Sequence, residues 1–347
     1  MALYGCFDGT TGTAREQRNP TANVTTLSGD FNGDDAGFTN NSENVYHVVT
    51  GATGATLDGF TITSGNANIG FNLLYGSYGG GMYNNSSSPT VTNVIFSGNI
   101  GGVGGGMSNV SSSPTLTNVT FSGNSAEGGG GMYNQDSNPT LTNVTFSGNW
   151  ANSGGGMYNA LGSPMLTNVT FSSNSAISGG GMYNYRSSLQ IRNTILWGNT
   201  ASSTGAQIYN NSSTSDVSYS VVQGGCPAGS TCTNIITSDP RLGALGNYGG
   251  FTQTIPLLPG SSAINTVNDA TCAATDQRGV IRPQGAHCDI GAFEVLSDTK
   301  VFTIFLPLIL HLHPGQKPTG GLSHLAVSLP KGIHGEPYHR RRHGGRG

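Results

Sequence analysis

Hydrophobic positions in the middle of this chain recur with a fixed, long period. "GGGM" ends at Met82 and returns at Met107, Met132, Met157 and Met182, 25 residues apart each time. A second apolar column follows: Phe96, Phe121, Phe146 and Phe171, closing with Leu196. Polar columns stand between them: Asn93, Asn118, Asn143, Asn168 and Asn193, then Asn99, Asn124, Asn149, Asn174 and Asn199. Inside each unit the alternation is two-residue, as in "TLTNVTF", and no run carries the 3.6-residue rhythm of a helix. The pattern predicts short strands at "GMYN" and "TLTNVTF", with Met, Leu, Val and Phe on the inner face. Pro89, Pro114, Pro139 and Pro164 mark one corner.

A strict repeat of this length with two or three short strands fits one coil of a parallel β-helix. Neighbouring coils sit about 4.8 Å apart, so identical residues stack. The phenylalanine and methionine stacks become the core. Asparagine tolerates left-handed backbone and its amide can bond the next one in its column, so both asparagine columns are read as corner ladders. The fold class is all-β, a single-stranded parallel β-helix of seven or eight coils. Residues 1–56 are read as N-terminal coils, 57–224 as the regular repeat, and 225–296 as a C-terminal module capping one end. Residues 297–347 are read as an apolar segment and a disordered basic tail rich in His, Arg and Gly. "ALYGCF" reads as the middle of a strand, so an export signal and the first coils are expected to precede Met1. "TAREQRN" is the one expected helical turn, with Thr13 and Glu16 spaced as a capping box.

Composition sharpens this picture. Only 9% of residues are charged and 55 of 347 are glycine, yet β-branched and aromatic residues keep fixed places, which argues for an ordered chain. Residues 1–310 carry eight Lys or Arg against sixteen Asp or Glu; residues 311–347 carry six against one. The body therefore has no cationic stripe, and nucleic acid is excluded as a partner. "VFTIFLPLILHLH" is apolar for too short a run and contains Pro307; a membrane span needs about twenty residues. A monomer without a transmembrane span is expected. Cys226 with Cys232, and Cys272 with Cys288, are local pairs that suggest disulfides and an oxidising compartment. Unpaired thiols or a metal site are the alternative, although a four-cysteine zinc site wants closer knuckles.

Gly-Gly-Gly-Met followed by Phe-Ser-Gly-Asn resembles the paired "GG[A/G]-hydrophobic" and "FxxN" signatures of polymorphic outer-membrane-protein repeats. FxxN is met by Phe96–Asn99, Phe121–Asn124, Phe146–Asn149 and Phe171–Asn174, and degenerates at Leu196–Asn199. That resemblance implies the right-handed parallel β-helix superfamily, which also holds pectate lyases. "LYGCFDGT…REQRNPTANVTTLSGDFNGDD" resembles the N-terminal coils of secreted bacterial β-helix proteins, where Tyr-Gly-Gly-Phe is usual and this chain has Cys6 at the third place. "DQRGVIRPQGAHCDIGAFE", Asp276 to Glu294, resembles the choice-of-anchor Q module. It implies export and attachment at a bacterial cell surface.

Candidate chemistry is sparse. The regular coils offer Glu127, Asp136, Arg186 and Arg192, which read as solvated surface charges; Leu161 separates Asp136 from Arg186 by two coils. "GDFNGDD" places Asp30, Asn32, Asp34 and Asp35 as oxygen donors around a glycine turn, with Glu43 beyond, and makes calcium the one cofactor the sequence admits. A polar turn between strands, needing no cofactor, is the favoured reading. The outward column Tyr83, Tyr133, Tyr158 and Tyr183, interrupted by Ser108, could bind sugar rings by their faces or pack on itself as a ladder. Threonine pairs at 90/92, 115/117 and 140/142 read as ordinary strand residues. The function expected is a secreted or cell-surface adhesin-like or spacer solenoid without a catalytic site, its partners surface glycans or proteins. The alternative is a polysaccharide-binding or polysaccharide-degrading β-helix whose site lies near Asp30–Glu43 or Asp269–Asp289.

Overall fold

The computed structural model describes residues 1–9, 14–68 and 77–296. Thr13, the apolar segment around Pro307 and the basic tail lie outside the described residues. Next to Thr13 the helical turn is a 3-10 helix, Arg15–Gln17, in which the Ala14 N–H donates to Gln17 Oε1 at 3.1 Å. Residues Met1–Ser297 form one compact unit.

Parallel strands wind through three sheets of fourteen, seven and six strands. Six turns place a strand in all three, fewer than the seven or eight expected, because the chain before Val49 and after Asn211 completes no further turn through all three sheets. Register follows the repeat: Thr115 pairs with Thr140, Phe121 with Phe146, and Met132 with Met157. The last turn is one residue longer, pairing Met182 with Ile208, and a register shift after Ala176 absorbs the extra residue.

The core is a set of stacked columns. Phe96, Phe121, Phe146 and Phe171 are fully buried, with successive ring centroids 4.9, 4.8 and 4.5 Å apart and rings within 6° of parallel. The methionine column faces them, equally buried. The glycine triplet is dictated by this stacking. Gly129 has φ +65°, which an L side chain rarely adopts, and a Cβ on Gly131 would sit 2.6 Å from Gly156 O and 2.8 Å from Phe146 Cδ1. Cys6 has φ +69°, which explains why glycine is usual at that place in the proteins it resembles; its buried thiol donates to Gly59 O at 3.2 Å.

Asparagine amides run along the inside of the solenoid. Asn124 Nδ2 donates to Asn149 Oδ1 at 2.9 Å and to Phe96 O at 2.9 Å, and the same bonds repeat one coil on at Asn149 and Asn174. A third, fully buried column went unrecognised in the sequence: Asn84, Asn109, Asn134, Asn159 and Asn184, linked amide to amide at 2.7–2.9 Å. Its only signal is its position, two residues after each inward methionine and hence on the same face. The column at Asn93, Asn118, Asn143, Asn168 and Asn193 does adopt left-handed φ, between 51° and 56°. Its amides pair along the column only at the first steps, Asn118 to Asn93 and Asn143 to Asn118, both 3.2 Å.

The rest of that column holds the C-terminal segment, and here the expectation of an end cap is corrected. Strand Ser230–Ile236 does pair with the last coil, next to the Cys226–Cys232 disulfide. The chain beyond it turns back and lies along the side of the solenoid. Asn193 Nδ2 donates to Thr271 O at 3.0 Å, the Ala273 N–H to Asn168 Oδ1 at 3.1 Å, and Asn143 Nδ2 to Thr275 O at 2.8 Å. Gln277 then bridges two neighbouring coils, donating to Thr120 Oγ1 at 2.8 Å and accepting from Thr145 Oγ1 at 2.6 Å. Leu257, Val267, Ile290 and Phe293 form a second small core with Ile195 and Val221 of the coils. The cause is local: left-handed asparagines turn their amides out of the wall, and hydrogen-bonding groups leaving the sheet need partners.

Candidate functional site

The tyrosine column lies on the outer face of the seven-stranded sheet, beside the inward methionines. Ring centroids are 5.2 Å apart from Tyr133 to Tyr158, 4.9 Å from Tyr158 to Tyr183, and 5.1 Å from Tyr183 to Tyr209. The gap at Ser108 is filled from outside the repeat by Tyr78, 5.6 Å from Tyr83 and 6.5 Å from Tyr133. His47 extends the stack at 5.1 Å from Tyr83. Sequence reasoning missed Tyr78, because its place in the column has no counterpart in the period. Tyr133, Tyr158 and Tyr183 stack face to face, so there the solvent meets mainly ring edges and hydroxyls, whereas Tyr78 meets Tyr133 edge-on at 61° and Tyr209 is tilted by 55° against Tyr183. Burial, with the neighbouring Tyr158, Tyr78 and Asp136, pushes the Tyr133 phenol well above its usual range. Its hydroxyl donates to Gln135 Oε1 at 3.2 Å, and Asn211 donates to the Tyr183 hydroxyl at 3.1 Å.

The scattered charges of the coils do not converge. Asp136, Leu161 and Arg186 share a left-handed corner, φ 50°, 57° and 47°, one per coil. Arg186 rests over the Tyr185 ring, and Arg192 bonds its neighbour Gln190 at 3.2 Å. Thr90, Thr115 and Thr140 form an exposed row that Met165 continues.

Carboxylates of the C-terminal segment form a buried frame. Asp276 accepts from the N–H groups of Arg278, Val280 and Glu294 and from Arg278 Nε. Arg282 is enclosed, with Nη1 3.2 Å from Glu294 Oε2 and donations to Asp289 O at 2.6 Å and Gly291 O at 2.7 Å. Glu294 also accepts from the Gln284 and Asp289 N–H groups. This is what "DQRGVIRPQGAHCDIGAFE" encodes: charges that fix a loop-rich segment in one shape, closed further by the Cys272–Cys288 disulfide.

Asp289 is the titrating member of this frame. Burial raises its carboxyl to about 6, against the lowering effect of the Val295 and Asn265 N–H groups; Glu294 raises it and Arg282 lowers it. Between about pH 4, the unfolded value, and about pH 6 the folded protein binds a proton that the unfolded chain has lost. Stability from this group is therefore expected to fall as pH rises through that window and to level off above it. Urea unfolding at pH 4.5, 5.5 and 7 checks this. The slope should flatten in Asp289→Asn, and an identical profile in that variant would contradict the assignment.

Two recesses lie among the described residues of the coils and the C-terminal segment. One, of about 360 Å³, lies between the turn Thr204–Asn210 and the loop Gln223–Gly229. The other, of about 320 Å³, opens where Asn247–Gln253 passes the first coils, lined by Cys6, Val24, Phe60, Ile95 and Phe251 among others. No charged side chain lines either.

The acidic loop sits in the first turn. Asp30 Oδ1 accepts from the N–H of Asn32 at 3.0 Å and of Gly33 at 2.6 Å. Carboxylate oxygens of Asp30, Asp34 and Glu43 lie within 4.8 Å of one another. Asn32 enters only through its backbone, and Asp35 turns to Asn44, accepting from Nδ2 at 2.8 Å. Glu43, which the sequence placed beyond the loop, is thus drawn into it.

Among the described residues no helix is long and apolar enough to cross a membrane. No curated protein and no solved structure matches the chain. Residues 80–238 match the family model described as the right handed beta helix region. That match, the parallel register of identical residues and the six turns through three sheets make this chain a right-handed β-helix repeat protein.

Proposed function

We propose that the protein acts outside the cytoplasm, at or beyond a bacterial cell surface, as a non-enzymatic, adhesin-like or spacer solenoid. The observation that carries this reading is the engagement of the carboxylates at Asp58 and in the core of the C-terminal segment. In the most irregular region Asp276, Asp289 and Glu294 are buried and held by Arg278, Arg282 and backbone N–H groups, while the more exposed Asp269 pairs with His287 at 2.9 Å. Asp58 is likewise held by Arg18 at 2.8 Å and Arg15 at 3.0 Å. Glycan cleavage by acid/base chemistry wants two carboxyl groups flanking one scissile bond. Two disulfides fit an oxidising compartment. The resemblances to polymorphic outer-membrane-protein repeats and to the choice-of-anchor Q module support surface attachment. Partners, whether glycan or protein, would meet the edges and hydroxyls of the tyrosine ladder.

The test is incubation of the full chain, with and without Ca²⁺, on plant, algal and bacterial polysaccharides, scoring retained protein and new chain ends separately. Unchanged chain length is expected for every polysaccharide. Retention, where it occurs, should weaken when Tyr133 and Tyr158 are changed to alanine. New chain ends would overturn the reading and place the protein among polysaccharide-degrading β-helices.

A further inference from the structure

The loop Asp30–Asn44 bridges strand Thr26–Ser28 and strand Val49–Thr50, and its chemistry is one-sided. It carries Asp30, Asp34, Asp35 and Glu43, while no Lys or Arg occurs between Arg18 and Arg186. Arg18 is itself engaged by Asp58. His47, the nearest titratable base in sequence, turns to Gly79 O at 3.1 Å and to the Tyr83 ring. An Asp-initiated turn explains Asp30 alone, through the three N–H groups it accepts. It does not explain why Asp34 and Glu43 bring their carboxylates to the same spot. Like charges held that close repel unless something positive lies between them.

A separate observation concerns buried acceptors. Asn44 is 7% exposed, and its amide nitrogen donates to both Asp35 Oδ2 and Ser64 O at 2.8 Å. Those two acceptors fix the orientation of the amide, since flipping it would set oxygen against oxygen. The Asn44 Oδ1 on the same planar group, whose nitrogen is tied to Asp35 of this loop, is buried without a donor. Glu43 Oε1 and Asp35 Oδ1 are buried without a donor as well. Three acceptor oxygens in one loop, shut off from water and with no N–H or O–H to meet them, are costly as they stand. A hard cation is the group that satisfies acceptor-only oxygens.

We infer that this loop is a Ca²⁺ site, with Asp30, Asp34 and Glu43 as charged ligands and Asp35 and Asn44 supplying or orienting further oxygens. Calcium fits better than magnesium, because an irregular loop offers many oxygens without octahedral regularity. The site would tie the first turn to the second, since Asn44 reaches Ser64 and Asn66 reaches Asn41 O.

The measurement is calorimetric titration of the full chain, stripped with chelator, against CaCl₂, with MgCl₂ as a parallel arm. One Ca²⁺ per chain is expected, with a dissociation constant on the order of 10⁻⁴–10⁻³ M, as in extracellular modules. Magnesium should bind at least tenfold more weakly. Asp34→Asn combined with Glu43→Gln should weaken calcium binding more than tenfold while leaving the far-UV circular dichroism of the calcium-free protein unchanged. A control pair in the coils, Glu127→Gln with Asp136→Asn, removes the same charge and should leave the titration unaltered. No saturable binding up to about 10 mM calcium, ten times the weakest constant expected, would overturn the inference. So would equal loss in the control pair, which would reduce the effect to net charge.

Discussion

Replacing Phe146 by alanine is expected to destabilise the solenoid by about 3–5 kcal/mol, the cost of emptying a fully buried aromatic site. Phe146 stacks on Phe121 at 4.8 Å and on Phe171 at 4.5 Å, so the change breaks the column in both directions. Relaxation cannot close the hole, because the coil spacing is set by backbone ladders above and below it. In a solenoid each turn is stabilised chiefly by its neighbours, so a break in the middle uncouples the two halves. Equilibrium urea unfolding should show a lower midpoint and a broader, less cooperative transition. Tyr158→Ala, on the outer ladder, should cost less than half as much. If Phe146→Ala lost under about 1 kcal/mol, the phenylalanine column would not be the core of the fold.

Removal of Arg282 is expected to have the second largest effect, and a different one. Its side chain is fully enclosed beside Glu294 and donates to the carbonyls of Asp289 and Gly291. Arg282→Met keeps much of the volume and leaves Glu294 buried without its counter-charge, a loss of about 3–5 kcal/mol where one partner of an enclosed pair is deleted. The loss falls on the lateral segment and not on the coils. The β-sheet circular dichroism should therefore persist while limited proteolysis opens sites within residues 240–296, read by mass spectrometry. Adding Glu294→Gln should recover part of the protection, because it removes the stranded charge. Wild-type resistance in Arg282→Met would show that the frame does not hold the segment.

The contrast between these two regions follows what was legible in the sequence. A column such as Met107–Met132–Met157 announces itself, because stacking identical coils forces the same residue at the same step. Period and alternation placed the strands of two sheets, the inner face and one left-handed asparagine column; the six-stranded sheet, with Ser125–Gly128 and Trp150–Ser153, was not expected, and the Asn99–Asn199 column is not left-handed. The lateral segment has no period, and its contacts are single events: a glutamine reaching two threonines, a glycine pressed onto Ile195. Nothing in "TCAATDQ" says that alternate residues will meet successive coils, so the end cap was the natural and mistaken expectation. Asn134 was missed for another reason. Its amide is buried among apolar side chains, where a single asparagine would be unfavourable, and only the amides above and below it make the position tolerable. The candidate site was legible as composition, three acids and an asparagine around a glycine turn, but the inclusion of Glu43 depended on how the loop closes.

The lateral segment also works as a gauge of repeat number. Thr271, Ala273 and Thr275 meet Asn193, Asn168 and Asn143 in turn, so two residues of the segment span each coil. Duplicating a 25-residue unit between Asn143 and Asn193 would shift every later meeting point by one coil, and two more residues between Thr271 and Thr275 would be needed to restore them. A coil gained before Asn93 would disturb none of these three meeting points. Growth and shrinkage of this repeat are thus policed over the stretch that the segment measures.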